Sequence, residues 1–372
     1  MKHSVIRSLA FMAAVGVTTD CALADEQPYC QVIEFDVPGA GTTLPYAGTY
    51  PMANNDEGTV VGYFFDTNGV PRSFLRTPDG HFTPFDAPGA GLGIGVEQGT
   101  GAYGINDLGV IVGSFETAEN IYYSFLRRPD GSFEVFNAKQ AGTGPGHGTQ
   151  ALSLNLEGAT AGFYVDGSNT THGFVRSPFG AIQSFDPPGS VFTYPCMETC
   201  INIEGEVTGY YLDSASVNHG FLREPNGTIT PINAPHAGDG SYQGTIAASI
   251  NDQGEITGYA ISSTGVGYGF LRARDGSFTT IELTTVTPAA AGGDGPFSIN
   301  LFGAVTGLFI DAGNADHGFS RSARGEIATF NAKDAGTSPG QGTRPSTNNI
   351  YGEVTGWYID SNNLGHGFIA IP

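Results

Sequence analysis

Lysine is nearly missing from this chain: only Lys2, Lys139 and Lys333 occur in 372 residues. With 15 Lys and Arg against 36 Asp and Glu, the formal net charge is −21. A chain so anionic repels phosphate backbones and anionic lipid, which excludes nucleic acid as the expected partner. Charged residues make up only 14% of the sequence, too few for the Glu- and Lys-rich outer faces of a helical protein. Long apolar runs are lacking too. The stretch at residues 9–17 is too short to span a bilayer, so no membrane insertion is expected. It follows the basic start Lys2, His3 and Arg7 and precedes the small-x-small triplet Ala22-Leu23-Ala24. These features predict a signal peptide over residues 1–24 and an exported protein, periplasmic or extracellular.

Cysteine is scarce. Cys30, Cys196 and Cys200 remain after Ala24. In an extended strand Cys196 and Cys200 lie ~13 Å apart, beyond disulfide reach, whereas a local turn brings them together; both outcomes stay open. No His accompanies them at zinc spacing, so no metal site is expected. Phosphate-loop, Gly-x-Ser-x-Gly, His-Glu-x-x-His and EF-hand patterns are all absent. The expectation is no cofactor, with loop-bound calcium the one exception that so acidic a chain leaves open.

What is abundant is Gly (56), Phe (25) and Pro (22), with Tyr, Val, Ile and Thr alternating between turn residues. That composition fits pleated strands joined by tight turns. The pattern Asn-x-x-Gly-x-x-x-Gly recurs at Asn55, Asn106, Asn155, Asn202, Asn251, Asn300 and Asn349, at intervals of 51, 49, 47, 49, 49 and 49. Each copy reads as four strands. Asn-x-x-Gly turns the first into the second, a short polar loop leads to the third, and a Pro-Asp-Gly-like turn leads to the fourth. Four antiparallel strands per 40–50-residue unit is the sequence form of a β-propeller blade.

The final copy stops at Ile369-Ala370-Ile371-Pro372, after its third strand. The segment running from Val32 to Gly41 matches the fourth-strand segment running from Phe82 to Gly91. The expected fold is therefore an all-β, seven-bladed propeller of four-stranded antiparallel blades. One domain, residues 25–372, is closed by N-terminal residues 31–37 completing blade seven.

The triplet His-Gly-Phe at His172, His219, His317 and His366, with Gly-Tyr-x-x-Asp and Phe-Thr-x-Phe-Asp segments, resembles the bacterial extracellular HAF repeat. The resemblance covers about residues 31–372 and implies a repeat architecture, with no catalytic residue to transfer. Arg72, Tyr123 and Tyr268 replace the His in three copies.

An Asp stands six residues before each His: Asp166 and His172, Asp213 and His219, Asp311 and His317, Asp360 and His366. Catalytic groups are singular whereas structural devices recur, so these pairs read as structural, an Asp-capped loop with a His bonded across the hairpin. The loops leading into the first strands carry Gln98 and Thr100, His147 and Thr149, Gln243 and Thr245, and Gln341 and Thr343. Crowded at one mouth of a channel, such amides and hydroxyls suit a neutral polar ligand. Aromatics at the eighth position after the repeat Asn (Tyr63, Phe163, Tyr210, Tyr259 and Trp357) read as packing between blades. Singular residues near the same mouth include Glu97, Tyr103, His147, Glu198, His236 and Arg344. The expected function is a monomeric, non-enzymatic binding or scaffold module for a glycan or a protein partner. The alternative is a polysaccharide lyase or glycoside hydrolase drawing on Glu97, His147, Glu198 and Arg344.

Overall fold

The computed structural model describes residues 29–44, 47–93, 98–195, 199–282 and 295–372. The fold is all-β: 28 strands and no helix among the described residues. Strands of the first repeat, Thr49–Asn54, Val60–Phe65, Pro71–Arg76 and Phe82–Phe85, pair antiparallel in chain order. The other repeats follow the same order, joined two by two into eight-stranded sheets by single parallel bridges, Tyr122–Gly148, Asn218–Gly244 and Asp316–Gly342. Gly48 bridges Gly365 in the same way. Glycine is required at these joints. At Gly148 φ is +120°, and a Cβ would sit 2.0 Å from the Tyr122 carbonyl oxygen.

The strand Gln31–Phe35 pairs antiparallel with the last strand, Gly365–Ile371, in the register Gln31 opposite Ile371 through Phe35 opposite Gly367. This places the first strand of the described residues beside the third strand of the seventh repeat.

At each Asn-x-x-Gly turn the Asn side chain is buried and acts twice. Its Oδ1 accepts a turn N–H, as in Thr59 N–H to Asn55 at 2.9 Å. Its Nδ2 donates to the backbone carbonyl of the next repeat's Asn. These bonds run from Asn55 to Asn106, Asn155, Asn202, Asn251, Asn300 and Asn349, and then from Asn349 back to Asn55, at 2.8–3.3 Å.

Apolar burial lies between repeats. Phe74, Phe125, Phe174, Phe221, Phe270, Phe319 and Phe368, one per third strand, are all fully buried. A fourth-strand Phe from the preceding repeat meets several of them edge-on: Phe35 with Phe74, Phe85 with Phe125, Phe185 with Phe221. Over those same rings lie the guanidinium groups of Arg76, Arg127 and Arg223, at 4.7–5.1 Å. No helix of the described residues is long and apolar enough to cross a membrane.

Candidate functional site

The repeated histidines each stand between two acceptors. Nε2 of His172, His219, His317 and His366 lies 3.4, 3.1, 3.2 and 3.7 Å from Oδ2 of Asp166, Asp213, Asp311 and Asp360. Nδ1 faces the residue just past the end of a strand: Asp186 at 2.7 Å, Asn233 at 3.3 Å, Asn331 at 3.0 Å and Asp36 at 3.0 Å. Each ring stacks 5.0 Å from an aromatic of the second strand, Tyr164, Tyr211, Phe309 or Tyr358. The loop Asp turns Oδ1 to two backbone N–H groups, Ser168 at 2.8 Å and Thr170 at 2.9 Å for Asp166. Those donors hold the Asp166 carboxyl below its usual range. Burial depresses the His172 imidazole, but Asp186 and Asp166 outweigh it and raise its pKa. For His366 the hydrogen bond to Asp36 is the largest influence and raises its pKa against burial. Where Arg72 replaces the His, it spans the same gap, 3.1 Å from Asp66 and 2.9 Å from Asp86.

The lead-in loops are also internally engaged. Thr100, Thr149, Thr245 and Thr343 are fully buried, and their Oγ1 atoms accept N–H from Ala87, Ala138, Ala234 and Ala332 of the preceding repeat at 2.9–3.0 Å. Their hydroxyls are thereby withdrawn from any ligand surface. Gln98 donates to the Ala118 carbonyl, and its Oε1 accepts from Gly93 N–H at 3.1 Å. Gln341 and Gln243 clamp their loops likewise, through Ser338 and Asn363 and through Gly240 and Ser263. His147 fills the glutamine's place: Nδ1 accepts from Gly144 N–H at 3.4 Å, and Nε2 donates to Asn169 Oδ1 at 2.8 Å.

Of the four residues proposed for catalysis, Glu97 and Glu198 lie outside the described residues, as does Cys196. Cys30 and Cys200 are both held in disulfides. Arg344 forms an ion pair with the buried Asp316 and lies 4.6 Å over the Trp357 ring. It sits in the seventh repeat and His147 in the third.

The eighth-position aromatics face the first strand of the following repeat. Tyr63 meets Tyr103 at 6.5 Å, Phe163 meets Tyr194 at 4.8 Å, and Trp357 meets Tyr50 at 5.1 Å. The second repeat departs from this arrangement. It has Ser114 at the eighth position, opposite Gly101 in the first strand Gly99–Ile105. The matching pairs carry bulk on both sides in five other repeats, Tyr50 with Tyr63, Gln150 with Phe163, Tyr194 with Tyr210, Ile246 with Tyr259 and Arg344 with Trp357, while the sixth sets Gly295 against Leu308. The missing volume leaves a pocket of about 240 Å³ beside the lead-in end of that strand. Tyr63, Phe65, Tyr103, Phe115 and Tyr122 supply its rings, and Ser114, Glu116 and Gln150 its polar groups. The Tyr103 hydroxyl hydrogen-bonds Ser114, and burial pushes its pKa up. A Cβ at residue 101 would stand 2.6 Å from that hydroxyl, so only glycine leaves it in place. Neither His147 nor Arg344 lines this pocket.

A second cavity, about 280 Å³, lies at the opposite end of the first strands, lined by six of the repeat asparagines, all but Asn202, with Asp56, Asp107 and Asp252. Burial, with Asp107 and Asp252 nearby, pushes the Asp56 carboxyl up to about 6 against the Ile350 N–H bond. Among the described residues no three His, Cys, Asp or Glu side chains are grouped to hold a metal ion.

No family model matches this chain. Nor does any curated protein. Among solved structures, two of puromycin hydrolase are similar at TM-scores of 0.52 and 0.51, with 12% and 13% identity. They cover 87% and 90% of this chain but only 51% and 53% of the hydrolase, so the chain spans about half of that enzyme's length. The BP39L lectin from Burkholderia pseudomallei aligns with 88% of this chain and 99% of its own, at a TM-score of 0.49 and 11% identity. The Aleuria aurantia lectin, described as a six-bladed β-propeller, aligns with 75% of this chain and 92% of its own, at 0.42 and 14%. At these identities the likeness to the hydrolase structures is one of fold.

Proposed function

We propose that this chain is an exported, monomeric seven-bladed β-propeller of the HAF-repeat kind that binds a glycan at the lead-in end of its second repeat. Seven repeats of four strands, the pairing of Gln31–Phe35 with the last strand, and the hydrogen bonds returning from Asn349 to Asn55 support the closed ring. The pocket opened by Gly101 and Ser114 carries the functional reading. Flat aromatic faces beside fixed polar groups suit a sugar, whose rings present apolar faces and hydroxyl edges. A glycosidase would need two carboxyl groups flanking the scissile bond. Among the described residues this pocket carries only Glu116.

The test is a glycan array probed with residues 25–372, followed by a reducing-sugar assay on every hit. The control variant is Ser114→Tyr, which installs the side chain found at Tyr63, Tyr210 and Tyr259 and so suits the repeat while filling the pocket. The parent should bind without turnover, and the variant should fold normally yet lose binding. A blank array, or a variant that binds as well as the parent, overturns the reading; sugar release moves the protein to the lyase or hydrolase class.

A further inference from the structure

The Asn-x-x-Gly turns lie at the end of the first strands opposite the pocket of the second repeat. Between its Asn and its Gly each turn has two corner residues, and the composition of those corners is one-sided. Six are carboxylates: Asp56, Glu57, Asp107, Glu157, Glu204 and Asp252. Seven are apolar or aromatic, one is Gln253, and none is Lys, Arg or His. Turn corners ordinarily take small polar residues that bond to their own backbone. Here Leu108, Phe302 and Tyr351 stand at second corners with 63%, 60% and 68% of their surface exposed. At that exposure they add little to the core, and they give the end of the molecule an apolar surface.

The first corners converge. Asp56, Asp107, Leu156, Asp252, Leu301 and Ile350 all line the cavity of about 280 Å³. Its three carboxylates are held in place from turn to turn. Asp107 Oδ1 accepts the Asp56 N–H at 2.9 Å, Asp252 Oδ1 the Ile203 N–H at 2.8 Å, and Asp56 Oδ1 the Ile350 N–H at 3.1 Å. These bonds fix the direction of each carboxylate without neutralising it. Hydrocarbon and fixed negative charge in one recess match a long basic side chain, which has an apolar stem and a charged head. One guanidinium of this chain already uses the same end. Arg274, on the outer turn of the fifth repeat, has Nη2 2.8 Å from Glu204 and 3.1 Å from Glu206.

Charge decides among the occupants of this surface. Nucleic acid and anionic lipid are repelled, and a second copy would bring the same carboxylates face to face. A neutral glycan gains nothing from the charge. We propose that this end of the molecule docks a basic, amphipathic peptide segment of a partner protein, with one arginine or lysine side chain seated in the cavity and apolar side chains laid on Leu108, Phe302 and Tyr351. The inference stands apart from the glycan reading, which concerns the opposite end.

Fluorescence anisotropy on residues 25–372 would use a labelled amphipathic Leu–Arg peptide, the same peptide with Ser in place of Leu, and arginine amide as a competitor. The Leu–Arg peptide should bind at least tenfold more tightly than its Ser counterpart, and more weakly as salt rises. Asp107→Asn combined with Asp252→Asn keeps both Oδ1 acceptors, so the melting temperature should hold while affinity falls at least tenfold. Phe302→Ser combined with Tyr351→Ser, at exposed sites, should weaken binding without unfolding the protein. Glu119→Gln combined with Asp239→Asn removes the same charge from exposed loops at the lead-in end and should leave affinity within twofold. No binding of the Leu–Arg peptide, or equal affinity for the Ser peptide, overturns the inference. So does an equal loss in the lead-in variant, which would mean diffuse attraction to an anionic protein. Arginine amide binding as tightly as the peptide assigns the cavity to a small cation and overturns the peptide partner. Self-association of the parent that Phe302→Ser with Tyr351→Ser abolishes gives the surface to a second copy and overturns it as well.

Discussion

Each repeat Asn does two things with one amide. The turn it caps is legible in the sequence, because Asn at the first corner and Gly at the fourth have a local geometry. Its bond to the next repeat's carbonyl has no local signature, since the partner is 47–51 residues away along the six sequential links. His147 illustrates the converse. As the one imidazole among glutamines it stands out in the sequence, yet Nδ1 and Nε2 fill the places of a glutamine's Oε1 and Nε2. The threonines show how burial decides between readings. Thr149→Val keeps the shape but removes the acceptor from the Ala138 N–H, and a buried unsatisfied donor costs about 1–3 kcal/mol. Chemical denaturation should show that loss with an unchanged m-value. The His366–Asp36 bond adds a pH dependence. Because the folded-state pKa of His366 is raised, its stabilising contribution is complete below the unfolded value of about 6.5 and is lost as pH rises through the folded one. Melting temperatures taken across that window should fall more steeply for the parent than for Asp36→Asn.

At the scale of elements, strand order and turn positions were readable because each repeat restates them. Seven copies of one pattern average away the ambiguity that a single strand carries. The pocket was not readable for the same reason. Gly101, Ser114 and Glu116 look like drift from a consensus until strand pairing sets Gly101 across from Ser114 and Glu116 across from Gly99. Tyr103 could be picked out as singular, but not the missing volume beside it. The N-terminal strand is the element most exposed to test. It contributes Phe35 and Val37 to a core shared with Phe64, Phe74 and Ile369. Deleting residues 30–41 should therefore abolish the cooperative unfolding transition in calorimetry. An unchanged transition would show that the strand is an accessory rather than the piece that completes the last repeat.

For the whole molecule, the length that would suit two average domains is taken up by one run of like units, each burying its Phe against a neighbour's. The pairing of Gln31–Phe35 with Gly365–Ile371 then has a consequence in time. A ribosome makes the N-terminal strand before the repeats and its partner only after six of them and most of the seventh. Throughout synthesis the growing chain therefore carries a Phe-bearing strand edge at its start with nothing to pair to, and such edges invite association with other chains. A chain cut short before Gly365 keeps that edge permanently. Quality control acting on this protein would thus read from a single strand whether the segment Gly365–Ile371 has been made, because that segment is what covers the Gln31–Phe35 edge.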